Sequence, residues 1–282
     1  MPVHDDLGKR MKEFYEQVPK TRLVRRMPVA IRLDGRAFHS FTKGFKRPFD
    51  DLLIDCMQQT MKYLCENIQG CVLGYHQSDE ITLILVDYKN LNSSAFFDYE
   101  VQKMCSISAS MATMFFNKYL SKKVAEFSDD FYEAWNVTEA EHKLLEAYSR
   151  AVARGAVFDS RCFNIPKEEV ANLIYWRQLD ATRNSIQMVG QANFSHKELH
   201  GKSCNMIQDM LMTQKGINFN DMSTEFKRGV CCIKEEYCPF PSGGFMECDL
   251  ESETIRTRWV LDKEIPIFTQ DRNYVEKTFK EN

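Results

Sequence analysis

The chain has 282 residues, with 37 Lys and Arg against 40 Asp and Glu and a formal charge of −3. Its 44% hydrophobic and 27% charged residues suit one large folded domain or two small ones and exclude disorder as the main state. The charge excludes a protein that coats itself in nucleic acid through bulk positive charge, so any nucleic-acid contact must come from local patches. The longest uncharged run, Met104 to Asn117, has 14 residues and is rich in small ones. A membrane span needs roughly 20 apolar residues, so none is expected. Met1 to Lys12 mixes acids and bases without an apolar stretch, so no secretory leader is expected either. Ten cysteines without a C-x-x-C pair read as reduced thiols of a cytoplasmic protein. Their one cluster, Cys231, Cys232, Cys238 and Cys248, has the spacing of no common zinc module.

Residues 7 to 26 begin helical and turn basic and irregular around Pro19. Pro28 to Asp34 alternates Val29, Ile31 and Leu33 with other residues, which predicts a strand. Asp50 can cap a helix running to about Gln69, with Leu53, Met57, Met61, Leu64 and Ile68 on one face and Gly70 as its stop. Cys71 to Tyr75 and Ile81 to Tyr88 are apolar runs around the polar joint His76 to Glu80, a hairpin pattern. A long helix is expected from Asp98 to about Leu120, its Ser106, Ser108, Ala109, Ser110 and Ala112 small enough to lie close on a sheet. Residues 121 to 150 are more polar and look inserted, with Thr138 and Glu141 as a capping box. A strand near Val152 to Phe163 and a helix from Lys167 to about Met188 follow.

The order is β-α-β-β-α-β, the split βαβ or ferredoxin-like arrangement of an α+β protein. It predicts one sheet with helices on one face, followed by a helical and β-containing tail. In such a sheet the first strand and the hairpin are neighbours. Asp34 (in Asp34-Gly35-Arg36, at the end of the first strand) and Asp79 (in Ser78-Asp79-Glu80, at the hairpin tip) then approach although 45 positions separate them. Two such carboxylates repel unless a cation lies between them, and oxygen-only ligands favour Mg²⁺. Gly35 lets the backbone turn tightly, which could make its carbonyl a further ligand. Such a site can hold two ions roughly 3.5–4 Å apart, one activating a hydroxyl and one neutralising a triphosphate. Either motif alone reads as a solvated turn; together they point to phosphoryl chemistry.

Arg32, Arg36, Lys43, Lys46 and Arg47 surround the first acid in sequence, and Lys103 lies on the long helix. Cations so placed supply charge-assisted hydrogen bonds to phosphate. Phe38 and His39 are candidates for contact with a base or ribose. Lys20 to Arg26 and Lys118 to Lys123 are the local basic stretches a nucleic acid would use. Three other signals are discounted. Gly201-Lys202-Ser203 lacks the earlier glycine of a P-loop and reads as a helix start capped by Ser203. His196 and His200 are spaced like a zinc pair but lack the H-E-x-x-H order. No C-G-x-C or G-x-S-x-G motif argues for covalent catalysis.

The run Arg32-Leu33-Asp34-Gly35-Arg36-Ala37-Phe38-His39-Ser40-Phe41, with Phe45, Arg47, Pro48 and Asp50, strongly resembles the tRNA(His) guanylyltransferase family, bacterial-type 3′–5′ RNA polymerases included. Ser78-Asp79-Glu80 matches its second acidic motif. Phe158-Asp159-Ser160-Arg161, Trp176-Arg177-Gln178 with Asp180, and Gly216-Ile217-Asn218-Phe219-Asn220 match later landmarks. The resemblance covers roughly residues 7 to 235 and implies a polymerase-palm-type core. It divides the chain into a catalytic domain, 1–235, with an insertion at 121–150, and a C-terminal extension, 236–282, packed on the core.

The resemblance implies a nucleotidyltransferase that activates a tRNA 5′-monophosphate with ATP or GTP and lets the 3′-hydroxyl of an incoming NTP attack it. It implies two Mg²⁺ ions on Asp34, the Gly35 carbonyl and Asp79, with Glu80 as a third catalytic acid in support. It implies nucleotide binding by Asp34, Gly35, Arg36, Ala37, Phe38, His39, Arg47, Ser78, Asp79 and Lys103. It also implies tRNA and nucleoside triphosphates as partners and a homotetramer, beside the cytoplasmic location and lack of a membrane span read from the cysteines and composition above. Where eukaryotic members carry H-I-N-N-L-Y-N, Thr182 to Met188 keeps Asn184 alone, and Tyr99 and Glu100 replace a pair of arginines. Template-directed repair of truncated tRNA 5′ ends is therefore favoured over strict addition of one G to tRNA(His). Two alternatives remain at this level: a palm-type nucleotide cyclase, although Gln77 to Ile81 is not its G-G-D/E-E-F, and a catalytically inactive RNA-binding module.

Overall fold

The alternation after Pro28 becomes strand β1 (Val29–Gly35), the second strand of a six-stranded antiparallel sheet. The computed structural model describes residues 6–134, 136–237 and 256–279. Helix α1 (Asp6–Met11) precedes β1, and the short helix α2 (Phe38–Phe41) and helix α3 (Asp51–Asn67) lead to the hairpin of β2 (Cys71–Gln77) and β3 (Glu80–Leu85). Helix α4 (Val101–Glu133), helix α5 (Glu139–Arg154) and strand β4 (Phe158–Asn164) complete the split βαβ core. Then come α6 (Val170–Asn193), α7 (His196–Leu199), α8 (Cys204–Lys215) and α9 (Thr224–Arg228). Strands β5 (Val230–Tyr237) and β6 (Arg256–Asp262) and the short helix α10 (Asn273–Glu276) end the described chain.

The strand order is β4-β1-β3-β2-β5-β6. Its first four strands have the ferredoxin-like order, and β5 and β6 extend the sheet. Ile31, Leu33, Ile81 and Leu83 pack against Met57, Met61 and Leu64 of α3 and Met104, Ala112 and Phe116 of α4. The small residues of α4 bring it close, with Ser108 Oγ 2.8 Å from Ser160 Oγ of β4. Helices were expected on this face alone. The other face is also covered, by Val170 and Ile174 of α6 and by Ile265, Phe268, Val275 and Phe279 of the C-terminal segment, over Ala30, Tyr75 and Ile84. Those strand positions are apolar, so leaving that face to water would be costly.

Several element edges move. Helix α4 does not stop near Leu120 but runs to Glu133, because Val124 and Phe131 continue its buried stripe. Its 33 residues overshoot the sheet, and α5 folds back along it behind the Thr138–Glu141 capping box. Val152 belongs to that amphipathic helix, so β4 begins only at Phe158. Residues 121–150 thus form an arm whose Leu144, Ala147 and Tyr148 enter the core. Tyr148 Oη donates to Asp50 Oδ2 at 2.8 Å, and the Phe45 and Tyr148 rings meet edge to face at 4.8 Å. Asp50 also caps α3 by accepting from Leu53 N and accepts from Lys46 N, each at 2.9 Å. The arm and the helix cap together fix the loop that carries Lys46 and Arg47.

Candidate active site

Antiparallel register sets Asp34 of β1 opposite Glu80 of β3 on one side and Asp159 of β4 on the other. Ser78 and Asp79 form the two-residue turn between β2 and β3, Ser78 taking the left-handed conformation at φ 52°. The Gly35 N–H donates to the Asp79 carbonyl at 3.1 Å, tying the end of β1 to the hairpin tip. Gly35 can carry no side chain, because a Cβ there would fall 2.3 Å from Cδ2 of Phe38. That ring is buried among Phe41, Phe116 and Phe158, with centroids 5.0, 5.7 and 5.3 Å away, and anchors the turn that follows Asp34. Ala37 begins that turn's short helix from a left-handed φ of 54°.

The two aspartates repel each other. Burial, and then the negative charge of Asp34, pushes Asp79 up to about 6. Burial, followed by Glu80 and Asp159, raises Asp34. Glu80 differs: its Oε2 meets Arg177 Nη2 at 2.8 Å and Arg32 Nη2 at 3.2 Å and accepts from Gln77 Nε2 at 3.3 Å. Arg177 also pairs with Asp180 at 2.6 Å, and Asp180 with Arg183. Both guanidiniums that hold Glu80 lie over the Trp176 ring, at 5.2 Å for Arg32 and 4.4 Å for Arg177. Glu80 is therefore a neutralised strut, while Asp34 and Asp79 are short of positive charge. Hard oxygen donors short of charge fit a divalent cation such as Mg²⁺. The donors on offer are two carboxylates and backbone oxygen; among the described residues no cluster of three or more His, Cys, Asp or Glu side chains could hold a metal.

A cavity of about 360 Å³ opens beside the hairpin tip. Of the residues singled out by sequence, Phe38, His39, Lys46, Arg47, Ser78 and Asp79 line it. Asp34, Gly35, Arg36 and Ala37 sit on the β1 turn beside this lining rather than in it. Lys103 stands apart: it is exposed at the start of α4 and pairs with Glu100 at 3.7 Å. Sequence reasoning missed Gln58, His76, Ser185 and Glu225, which the fold brings to the same cavity from α3, β2, α6 and α9. None belongs to a motif, except that Ser185 follows Asn184 in the segment after Trp176-Arg177-Gln178. Asp159 was visible as a landmark but not as a charge facing Asp34.

The basic stretches are partly spent within the fold. Arg22 and Arg25 pair with Asp98, Arg25 also with buried Asp87, and Lys122 and Lys123 with Glu126. Ser203 caps α8, accepting from Met206 N, as expected for a helix start. The His196 and His200 rings lie 6.2 Å apart, tilted by 36°, without further metal-ligating partners among the described residues. Of the cysteine cluster, Cys231 and Cys232 are buried in β5, and Cys238 and Cys248 lie outside the described residues.

The sequence model of the tRNAHis guanylyltransferase family matches residues 8–166, which include both acidic motifs. The chain belongs to the tRNA(His) guanylyltransferase family. As a tRNA(His) guanylyltransferase homologue it is a nucleotidyltransferase. A bacterial tRNA(His) guanylyltransferase-like protein in complex with ATP is 40% identical, with a TM-score of 0.78 over 98% of this chain and 100% of that one. A bacterial guanylyltransferase-like protein in complex with GTP is 37% identical, with a TM-score of 0.72 over 97% and 99%. The tRNA(His) guanylyltransferase of Saccharomyces cerevisiae is 26% identical over 215 residues, 71% of this chain and 80% of its own. No described helix of this family member is long and apolar enough to cross a membrane.

Proposed function

We propose that this protein is a Mg²⁺-dependent 3′–5′ nucleotidyltransferase that adds nucleotides to the 5′ end of tRNA, chiefly to rebuild truncated ends against a template. The observation that carries the reading is the pair of mutually repelling aspartates at one strand end, beside a cavity rimmed by Lys46 and Arg47. The likeness to proteins in complex with ATP and GTP supports nucleoside triphosphates as its substrates. Asp34, the Gly35 carbonyl and Asp79 would hold the metal. Bound there, it supplies a lowered pKa for an attacking hydroxyl and charge neutralisation for a triphosphate.

The chain's own residues do the positioning. Lys46 and Arg47 offer charge-assisted hydrogen bonds to a triphosphate, and Lys103 can join them only by releasing Glu100. The Phe38 ring was expected against a base or ribose but is buried under the turn, which leaves His39 to flank the nucleoside, and the Ser78 hydroxyl steadies Asp79 by donating to its Oδ1 at 3.1 Å. Glu80, held by Arg32 and Arg177, keeps the ends of β1 and β3 aligned. In this reading the tRNA 5′-phosphate attacks the α-phosphorus of ATP or GTP and displaces pyrophosphate. The 3′-hydroxyl of the next NTP then attacks the activated 5′-phosphate and displaces the nucleoside monophosphate.

The described cysteines are all free thiols, which supports a reducing, cytoplasmic setting. A homotetramer completes the reading on the family resemblance alone. The test is incubation with Mg²⁺, ATP, GTP and a tRNA lacking its first nucleotide. Extension is expected, and it should vanish in Asp79→Ala. No extension by the wild type, or equal extension by Asp79→Ala, would defeat the proposal.

A further inference from the structure

The Sγ atoms of Cys105, in the second turn of α4, and Cys162, on β4, lie 3.6 Å apart, and both residues are half-buried. Cys162 pairs in register with Ile31, so the two share the sheet face that α4 covers. The close approach of α4 brings Cys105 down onto that face, as it brings Ser108 onto Ser160 one turn further on. A disulfide is about 2.0 Å long, so each sulfur has to move by less than about 1 Å, within reach of a side-chain rotation. Cys65, Cys71 and Cys232 also neighbour one another, but all three are buried in the core, where no oxidant arrives.

We propose that Cys105 and Cys162 form an oxidation site, which a small-molecule disulfide of the glutathione class converts to a disulfide stapling α4 to the edge strand β4. The Cys105 thiolate attacks one sulfur of the oxidant, breaking the oxidant's S–S bond and leaving a mixed disulfide and one free thiol. The Cys162 thiolate then attacks the Cys105 sulfur and displaces the second thiol. Two electrons pass from the cysteines to the oxidant, and the two cysteine protons end on its two thiols. Burial, and then the neighbouring Cys105, push the Cys162 thiol up to about 12, so Cys162 closes the bond and does not open the exchange. In a reducing cytoplasm the bond is transient, present while the thiol pool is oxidised.

Its position gives the bond its effect. The loop it closes contains the rest of α4 and all of α5, the arm that holds Asp50 through Tyr148. Helix α4 also starts under strain: Phe97, Asp98 and Tyr99 precede it at φ 49°, 53° and 57°, a left-handed run that L side chains rarely adopt. The staple fixes the helix within two turns of that start.

The test is overnight incubation of the full chain with excess glutathione disulfide, followed by tryptic mass mapping and thermal melting. Peptides 104–118 and 162–167 should be recovered joined, two hydrogens lighter than their sum. The melting temperature should rise by about 5 °C, because the cross-link restricts the unfolded chain, and fall back with a reductant. Cys162→Ala should stop at a mixed disulfide on Cys105, carrying one glutathione. Cys105→Ala should show neither the joined peptides nor the rise. No joined peptides from the folded wild type, or joined peptides without a rise, would overturn the assignment. So would an equal rise in Cys105→Ala, since another thiol would then be its source. Should either variant fail to fold, mapping and melting of the wild type decide alone. None of these readouts involves nucleotide or tRNA, so the proposed activity stands or falls separately.

Discussion

On the side of the sheet turned to α3 and α4, Ile31, Leu33, Ile81 and Leu83 are wholly buried among apolar neighbours. One residue along the same strands, Arg32, Asp34 and Glu80 stand on the other side among charges. Side chains alternate across a strand, so two adjacent residues can serve unrelated ends. The apolar side supplies burial free energy, and the charged side holds repulsion that burial elsewhere must offset. The contrast implies that substitutions at the buried apolar positions register in melting, and those at the charged strand ends in rate.

Asp79→Asn probes the charged side most strongly. Loss of 5′ extension on the order of 1,000-fold is expected, the scale for removing a key electrostatic group, with no drop in melting temperature at neutral pH. Extension assays and melting on one preparation check both halves, and a lower melting temperature would break the contrast. Leu33→Ala should do the reverse. Chemical denaturation should read a loss of about 3–4 kcal/mol, with the pH profile of the remaining activity unchanged. Arg177→Met lies between the two, because Glu80 keeps Arg32 as its one cation, with Gln77 as a neutral donor. A loss of about 3 kcal/mol, at the lower end for breaking a buried pair, should accompany a partial loss of rate.

The last effect concerns pH. The folded chain holds the Asp79 proton up to about 6, whereas the unfolded chain releases it near the ordinary 3.8. Between those values the native state binds more protons, so stability falls as pH rises through the window and levels off above it. In metal-free buffer Asp79 should contribute a fall of up to about 3 kcal/mol, with Asp34 adding in the same direction. Thermal melts from pH 4 to 7.5 should show the slope in the wild type, its reduction in Asp79→Asn, and its reduction in the wild type by Mg²⁺.

The convergence of Asp34 and Asp79 was readable because alternation located β1 and the β-α-β-β-α-β order made β1 and β3 neighbours. That Asp79 and Glu80, consecutive and both acidic, have opposite surroundings was not readable. The partner of Glu80, Arg177, lies 97 positions away on a helix that crosses the second face. The length of α4 was underestimated because Ser121 to Glu126 is polar on its outer side, while Val124 and Phe131 keep the buried stripe going. Gln58 and Glu225 meet at 2.8 Å across 167 positions, a pairing that local periodicity cannot reveal. Lys103 had the right charge for a phosphate ligand, but its nearest acid is Glu100, one helical turn away.

The α4–α5 arm ends in the Tyr148 hydroxyl on Asp50, and Asp50 in turn holds the Lys46 amide. A distant outgrowth therefore tensions the lip over which a triphosphate must pass. Trimming the arm would take Leu144, Ala147 and Tyr148 out of the core and slacken that lip, so a shortened relative would need other apolar cover there and another donor for Asp50 to keep its cations aimed.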